Sequence, residues 1–125
     1  MVVIAGIGCC RDCSAAPIIA LVRDAAARTG RAVTRLAAPD FKGNEHGLRE
    51  AAHALGLPLV LVAGDALQAA QRRCETRSVR TERAAGVASV AEACALAEAG
   101  ATGRLLLPRI ATGGATCALA EGPAP

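Results

Sequence analysis

Aromatic residues are almost missing from this sequence: it has no Trp, no Tyr and a single Phe, at position 41, in 125 residues. Without aromatic rings there is no platform on which unpaired bases could stack, and the basic residues do not gather into one run, so nucleic acid is a poor fit as a partner. Lysine is nearly as scarce. Lys42 is the only one, and the remaining 13 of the 14 basic residues are Arg. Arg favours planar, bidentate grips on carboxylates and phosphates, but a GC-rich genome also favours Arg over Lys, and at this point the two explanations stand level. No stretch approaches the ~18 apolar residues of a membrane span. The apolar run at residues 2–7 is too short, and lacks the preceding basic residues, for a secretory signal. A cytoplasmic location is the expectation.

What is present is Ala, Leu and Val in abundance, in a chain long enough to bury roughly two-thirds of its unfolded surface around one core. The six cysteines, Cys9, Cys10, Cys13, Cys74, Cys94 and Cys117, are even in number, yet a domain with such a core has no need of staples, so free thiols are expected. There is no internal repeat and no linker composition. The reading is one domain over residues 1–120 with a flexible tail at 121–125.

Residues 2–7 are apolar throughout rather than alternating, the pattern of a central strand covered on both faces. Gly6-Ile7-Gly8-Cys9-Cys10-Arg11-Asp12-Cys13-Ser14 follows, and Ser14 is placed to cap a helix over 15–29 that Gly30 ends. Residues 33–38 read as a weak strand or irregular connection. Asn44 is placed to cap a helix over 45–55 closed by Gly56, and Leu59-Val60-Leu61-Val62 is a second fully apolar strand. Asp65 is the expected cap of a short helix over 66–72, and 73–81 reads as a mobile basic loop. Ser89-Val90-Ala91-Glu92 has the spacing of a capping box before a helix ended by Gly100. Residues 105–107 and 115–120 flank Gly113-Gly114 as two strands of a hairpin. The order implies an α/β fold: a three-layer α/β/α domain with a mixed, mainly parallel sheet and a C-terminal hairpin.

Several groups invite chemistry. Cys10-Arg11-Asp12-Cys13 is a CxxC between a strand and a helix N-terminus, where the helix dipole would lower a thiol pKa, so a thiol redox module using Cys10 and Cys13 is one reading. It lacks the proline-bearing strand such modules place against the pair. A zinc site of Cys9, Cys10 and Cys13 lacks the second paired knuckle, and no metal or cofactor is expected. Gly6-x-Gly8 lacks the third glycine of a dinucleotide fingerprint. The densest cluster is Asp40, Lys42, Glu45 and His46 within seven positions. It reads either as a general base, an electrophile and anion contacts, or as a solvated loop in which Glu45 answers the helix dipole. Glu92 has a structural role as the capping-box partner of Ser89. Arg72, Arg73, Arg77, Arg80 and Arg83 form either a binding loop for a polyanion or a charged surface.

Taken in order, Gly6-Ile7-Gly8-Cys9 with Ser14, Asp40-Phe41-Lys42, Glu45 with Gly47-Leu48, Leu55-Gly56-Leu57-Pro58-Leu59, Gly86-Val87-Ala88-Ser89-Val90-Ala91-Glu92-Ala93, and Leu106-Leu107-Pro108 before a Thr/Ala-rich last strand resemble the CobE/CbiG C-terminal domain family of cobalamin biosynthesis. The resemblance covers most of residues 2–120. It implies a protein of corrin-ring assembly that binds or hands on a polycarboxylate precorrin, a tetrapyrrole. The longer, two-part relatives imply lactone hydrolysis with release of a two-carbon aldehyde, so any enzymatic role would be that of a hydrolase. Other enzymes of the pathway are the implied protein partners. On this resemblance Gly6, Gly8, Cys9 and Ser14 surround the ligand, with Arg11 added from its place in the loop, and Asp40, Lys42 and Glu45 are the candidate catalytic residues. Family members carry a basic residue at the position of Cys10 and a glycine at that of Cys13, so the CxxC is a local substitution. Pro39 stands where relatives have a β-branched residue.

Overall fold

The computed structural model describes residues 1–77 and 89–124. Five strands form one sheet: β1 (Val2–Cys9), β2 (Arg35–Pro39), β3 (Leu59–Val62), β4 (Arg104–Thr112) and β5 (Ala115–Gly122), in the spatial order β3-β2-β1-β5-β4. β1 pairs in parallel with β2, and β2 with β3, whereas β5 runs antiparallel to both β1 and β4. Every strand except β5 therefore points the same way, which is the mainly parallel sheet with a C-terminal hairpin expected from the sequence.

The described residues include four α-helices: α1 (Ala15–Thr29), α2 (His46–Leu55), α3 (Gly64–Ala70) and α4 (Val90–Ala99). Strand alternation sorts the core into two faces. Val3, Ala5 and Ile7 of β1 pack with α1 and α2, while Ile4 packs with α3 and α4. Glycine sets the closeness of the second contact. The position a Cβ would take on Gly6 is filled by the carbonyl oxygen of Ala91, with the Ala95 amide next to it, so α4 lies directly on the β1 backbone. Gly30 and Gly56 end α1 and α2 in the left-handed conformation, as their placement in the sequence implies.

Several boundaries differ from the sequence reading. The segment read as a weak strand is β2, fully paired on both edges, because its Leu36, Ala37 and Ala38 are buried on both faces and show no alternation. The N-cap of α2 is Glu45, not Asn44, and that of α3 is Ala63, not Asp65, whose carboxylate accepts instead from the Ala66 amide at 2.9 Å. The chain does not fray at 121. Glu121 pairs with Val3, and Gly122 with Val2, in the β1–β5 ladder. The buried Glu121 carboxylate is also held by Arg31 and by Arg104 at 2.7 Å.

The basic loop read as mobile is fixed through residue 76. After the 3-10 turn Gln71–Arg73, the Arg73 guanidinium donates to the carbonyls of Leu96, Gly100 and Gly103 at 3.1–3.2 Å, capping the C-terminal end of α4. Arg73 is thereby committed within the fold rather than available to a polyanion. Arg80, Arg83 and residues 86–88 lie outside the described residues.

Ser89 caps α4 through its Oγ, which accepts from the Glu92 amide at 3.3 Å. The reciprocal half of the box is not made. The Glu92 carboxylate, with no solvent exposure (0 %), accepts instead from the amides of Glu75 (2.7 Å), Thr76 (3.0 Å) and Arg109 (2.9 Å). Burial alone would raise its pKa, but the Thr76 side chain and these three backbone donors outweigh burial and hold it below the usual carboxylate range.

Candidate functional site

From β1 the chain moves outward through α1 and β2 to β3 at one edge, then crosses to the opposite edge at β4 and turns back as β5 to lie beside β1. A crevice at the carboxyl end of the strands is where open α/β sheets hold ligands. Three connections meet there: residues 10–14 after β1, 40–45 after β2, and the Gly113-Gly114 turn between β4 and β5.

The first two are locked together. The Asp12 amide donates to Glu45 Oε2 at 2.9 Å, holding Asp12 at φ 59°, a left-handed conformation uncommon outside glycine. The turn is braced from the hairpin by the Cys10 amide, which donates to the Gly114 carbonyl at 2.9 Å. Gly47, in the first turn of α2, lies against the Cys13 carbonyl with no room for a Cβ. A cleft of about 220 Å³ results, lined by Asp12, Cys13, Ser14, Glu45, His46, Gly47 and Glu50.

Of the residues singled out in the sequence, Cys13, Ser14, Glu45 and His46 line this cleft. Ser14 occupies the N-cap position of α1, but its exposed hydroxyl makes no capping hydrogen bond. Burial pushes the Cys9 thiol up to about 11, with Lys42 close enough to oppose that rise and Glu45 close enough to add to it. Arg11 and Asp40 are exposed on the same rim. Gly8 and Gly6 lie behind the site. The Thr116 hydroxyl donates to the Gly8 carbonyl at 3.3 Å and fills the space a side chain there would use, as α4 does at Gly6. The close approach these glycines permit is by protein rather than by ligand.

Three site residues escaped the sequence reading: Asp12, Glu50 and Arg49. Asp12 and Glu50 give the cleft acid walls with Glu45, and His46 stands one turn from Glu50 on α2. Arg49 donates from Nε to the Gly43 carbonyl at 2.6 Å, bracing the 40–45 loop. The i,i+4 spacing of His46 and Glu50 was a readable signal; nothing in the sequence marks Arg49 or Asp12.

Nothing in the structure or sequence around the CxxC supports the redox reading. All six cysteines are free. The Cys13 thiol is raised, first by burial and then by Cys10. Among the described residues no His, Cys, Asp and Glu cluster could hold a metal ion, and no helix is long and apolar enough to cross a membrane.

These features define a single-domain α/β/α protein with a candidate site built by loops at the carboxyl end of its sheet. Its sequence over residues 3–120 matches the family model described as the cobalamin synthesis G C-terminus, and the chain belongs to that family. It is similar to the crystal structure of CobE, a protein from the cobalamin (vitamin B12) biosynthetic pathway, with 37% identity and a TM-score of 0.88 over 95% of this chain and 89% of that one. It is also similar to cobalamin biosynthesis protein chiG from Agrobacterium tumefaciens, with 41% identity and a TM-score of 0.79 over 98% of this chain and all of the other (100%). No curated protein matches it.

Proposed function

We propose that this member of a cobalamin biosynthesis family binds a polycarboxylate precorrin, or hands it on, at the carboxyl-end rim of its sheet. The observation that carries the reading is the Asp12–Glu45 hydrogen bond at 2.9 Å, which preassembles two loops of the carboxyl-end rim, the second of which carries Lys42. A site fixed before the ligand arrives loses little entropy on binding. A ligand with several acetate and propionate arms around a large ring needs cations and an open rim. Lys42 and the exposed Arg11 supply the cations.

Lactone opening, where it occurs, falls to the same rim. Glu45 has one carboxylate oxygen committed to the loop lock, which makes the exposed Asp40 the better placed of the two carboxylates to activate water. Lys42, Arg11 and the first amides of α1 would then meet the developing oxyanion.

Titration with a purified precorrin, or its stable oxidised product, followed by absorbance, tests the binding. Saturable binding that weakens roughly ten-fold in Lys42→Ala, about the value of one charge-assisted contact, is the expected result; no saturable change in the wild type would overturn the proposal. Incubation of a lactone-bearing precorrin with release of the two-carbon aldehyde as the readout decides the catalytic half: no release above background leaves a binding protein.

A further inference from the structure

The one aromatic residue of the chain is not in the core. Phe41 is 59 % exposed, in the middle of the 3-10 turn Asp40–Lys42 on the carboxyl-end rim. Leu61 of β3, 42 % exposed, packs against Gly43 of the same loop. The loop is internally braced: the Gly43 amide donates to the Asp40 carbonyl and the Glu45 amide to the Lys42 carbonyl, both at 3.0 Å, and Arg49 Nε donates to the Gly43 carbonyl at 2.6 Å. A braced turn that displays a phenyl ring forgoes a burial that would favour the fold.

We infer that Phe41 is the shelf on which the flat face of the tetrapyrrole lies while Lys42 meets one of its peripheral carboxylates. The inference rests on the function proposed above and adds a specificity residue to it. Two observations select this occupant. The cleft, at about 220 Å³, is smaller than the roughly 300–1,000 Å³ of pockets that enclose a drug-sized ligand, so a macrocycle has to lie outside it. Its walls carry Asp12, Glu45 and Glu50, which repel carboxylate arms and leave the rim at Lys42 as the attractive ground. A large planar ring with anionic edges matches an exposed aromatic next to a cation, as a small polar ligand does not.

The test uses the full chain and the same precorrin, or its stable oxidised product, as the binding titration. Phe41→Ala is expected to bind about ten-fold more weakly, the scale of one stacked aromatic contact, and Phe41→Trp to restore affinity. Because Phe41 is the only phenyl group, its ring protons are isolated in the NMR spectrum, and nuclear Overhauser contacts from them to macrocycle protons are expected in the complex. A wild-type protein that binds, joined to an unaltered Phe41→Ala affinity or to no such contacts, overturns the shelf and leaves the binding function standing. A dimer in sedimentation that Phe41→Ala dissolves, with tetrapyrrole affinity unchanged, assigns the face to a second copy and also overturns it. No binding by the wild type removes both readings together.

Discussion

Replacing Glu92 with Gln keeps the shape of the side chain and removes its charge, and the geometry fixes what is lost. One carboxylate oxygen accepts from the amides of Glu75 and Thr76, the other from the amide of Arg109, all within 3.0 Å. Whichever way the amide is turned, an NH₂ group faces at least one buried N–H. Hydrogen bonds to a charged group contribute roughly 1.5–3 kcal/mol each, and a buried donor left unpaired costs a further ~1–3. Partial relaxation of residues 75–76 toward solvent recovers some of this, so Glu92→Gln should cost about 2–4 kcal/mol, a large share of the ~5–15 kcal/mol expected for a domain. With no Trp or Tyr in the chain, the assay is urea unfolding followed by far-UV circular dichroism. The pH dependence carries its own sign. The folded pKa of Glu92 lies below its unfolded value, so its contribution is present in full above about pH 4.5, the ordinary glutamate range, and is lost as pH falls through the folded value. The gap between wild type and Glu92→Gln should therefore be wide at pH 7 and close in acid. A difference under about 0.5 kcal/mol at pH 7, the size of an ordinary surface substitution, or a gap equally wide at pH 3, would refute the reasoning. Hydrogen exchange localises the effect: the amides of Glu75, Thr76 and Arg109 should lose protection first.

Gly6→Ala should destabilise by about 2–3 kcal/mol or more, the upper range for overpacking, because its new methyl would fall on the Ala91 carbonyl and α4 would have to lift from β1; thermal unfolding measures it, and an unchanged midpoint contradicts the close approach. Alkylation with iodoacetamide at pH 7.5 should label the exposed Cys10 first and spare Cys9, whose thiol ionises only near pH 11; mass spectrometry of the digested chain reads the order, and early labelling of Cys9 would contradict it. The double replacement of Cys10 and Cys13 by Ser should leave tetrapyrrole binding within about two-fold, a difference of ~0.4 kcal/mol.

The fold was legible where one physical cause dominated. Residues 2–7 and 59–62 read as covered strands because all their side chains are apolar, and Gly30 and Gly56 read as helix ends because few other residues adopt the backbone they need. Arg35–Pro39 was harder: its alanines give a strand no period, and its burial comes from neighbours distant in sequence. Caps were misplaced by one or two residues at α2 and α3 because Asn44 and Asp65 have the right chemistry, while tertiary contacts chose Glu45 and Ala63. At the site, the loop and the candidate carboxylates were visible as residue types. That Glu45 would bond Asp12, 33 positions away, and that Glu92 would leave its own helix turn to gather amides from two other segments, depends on topology that no local spacing encodes.

The charge arrangement at the rim favours one direction of approach. Three carboxylates wall the cleft, and the N-termini of α1 and α2 that bound it offset them in part. An anionic arm entering there would meet Asp12 and Glu50 within a few ångströms, where even at an effective dielectric near 20 each charge is felt at roughly 4 kcal/mol for a 4 Å separation. An arm directed to Lys42 meets the opposite sign, and burial of Cys9 as an un-ionised thiol keeps a second negative charge from forming beside it. An ordinary thiol is already un-ionised at neutral pH, so the raised Cys9 pKa extends to alkaline pH the range in which no thiolate competes for Lys42. A Cys9→Asp substitution would install the missing negative charge at nearly the same place. It should weaken binding of a polycarboxylate tetrapyrrole at least as much as Lys42→Ala does, whereas Cys9→Ser should leave the affinity near that of the wild type. Equal binding by the aspartate and serine variants in the absorbance titration would show that Lys42 does not hold the carboxylate.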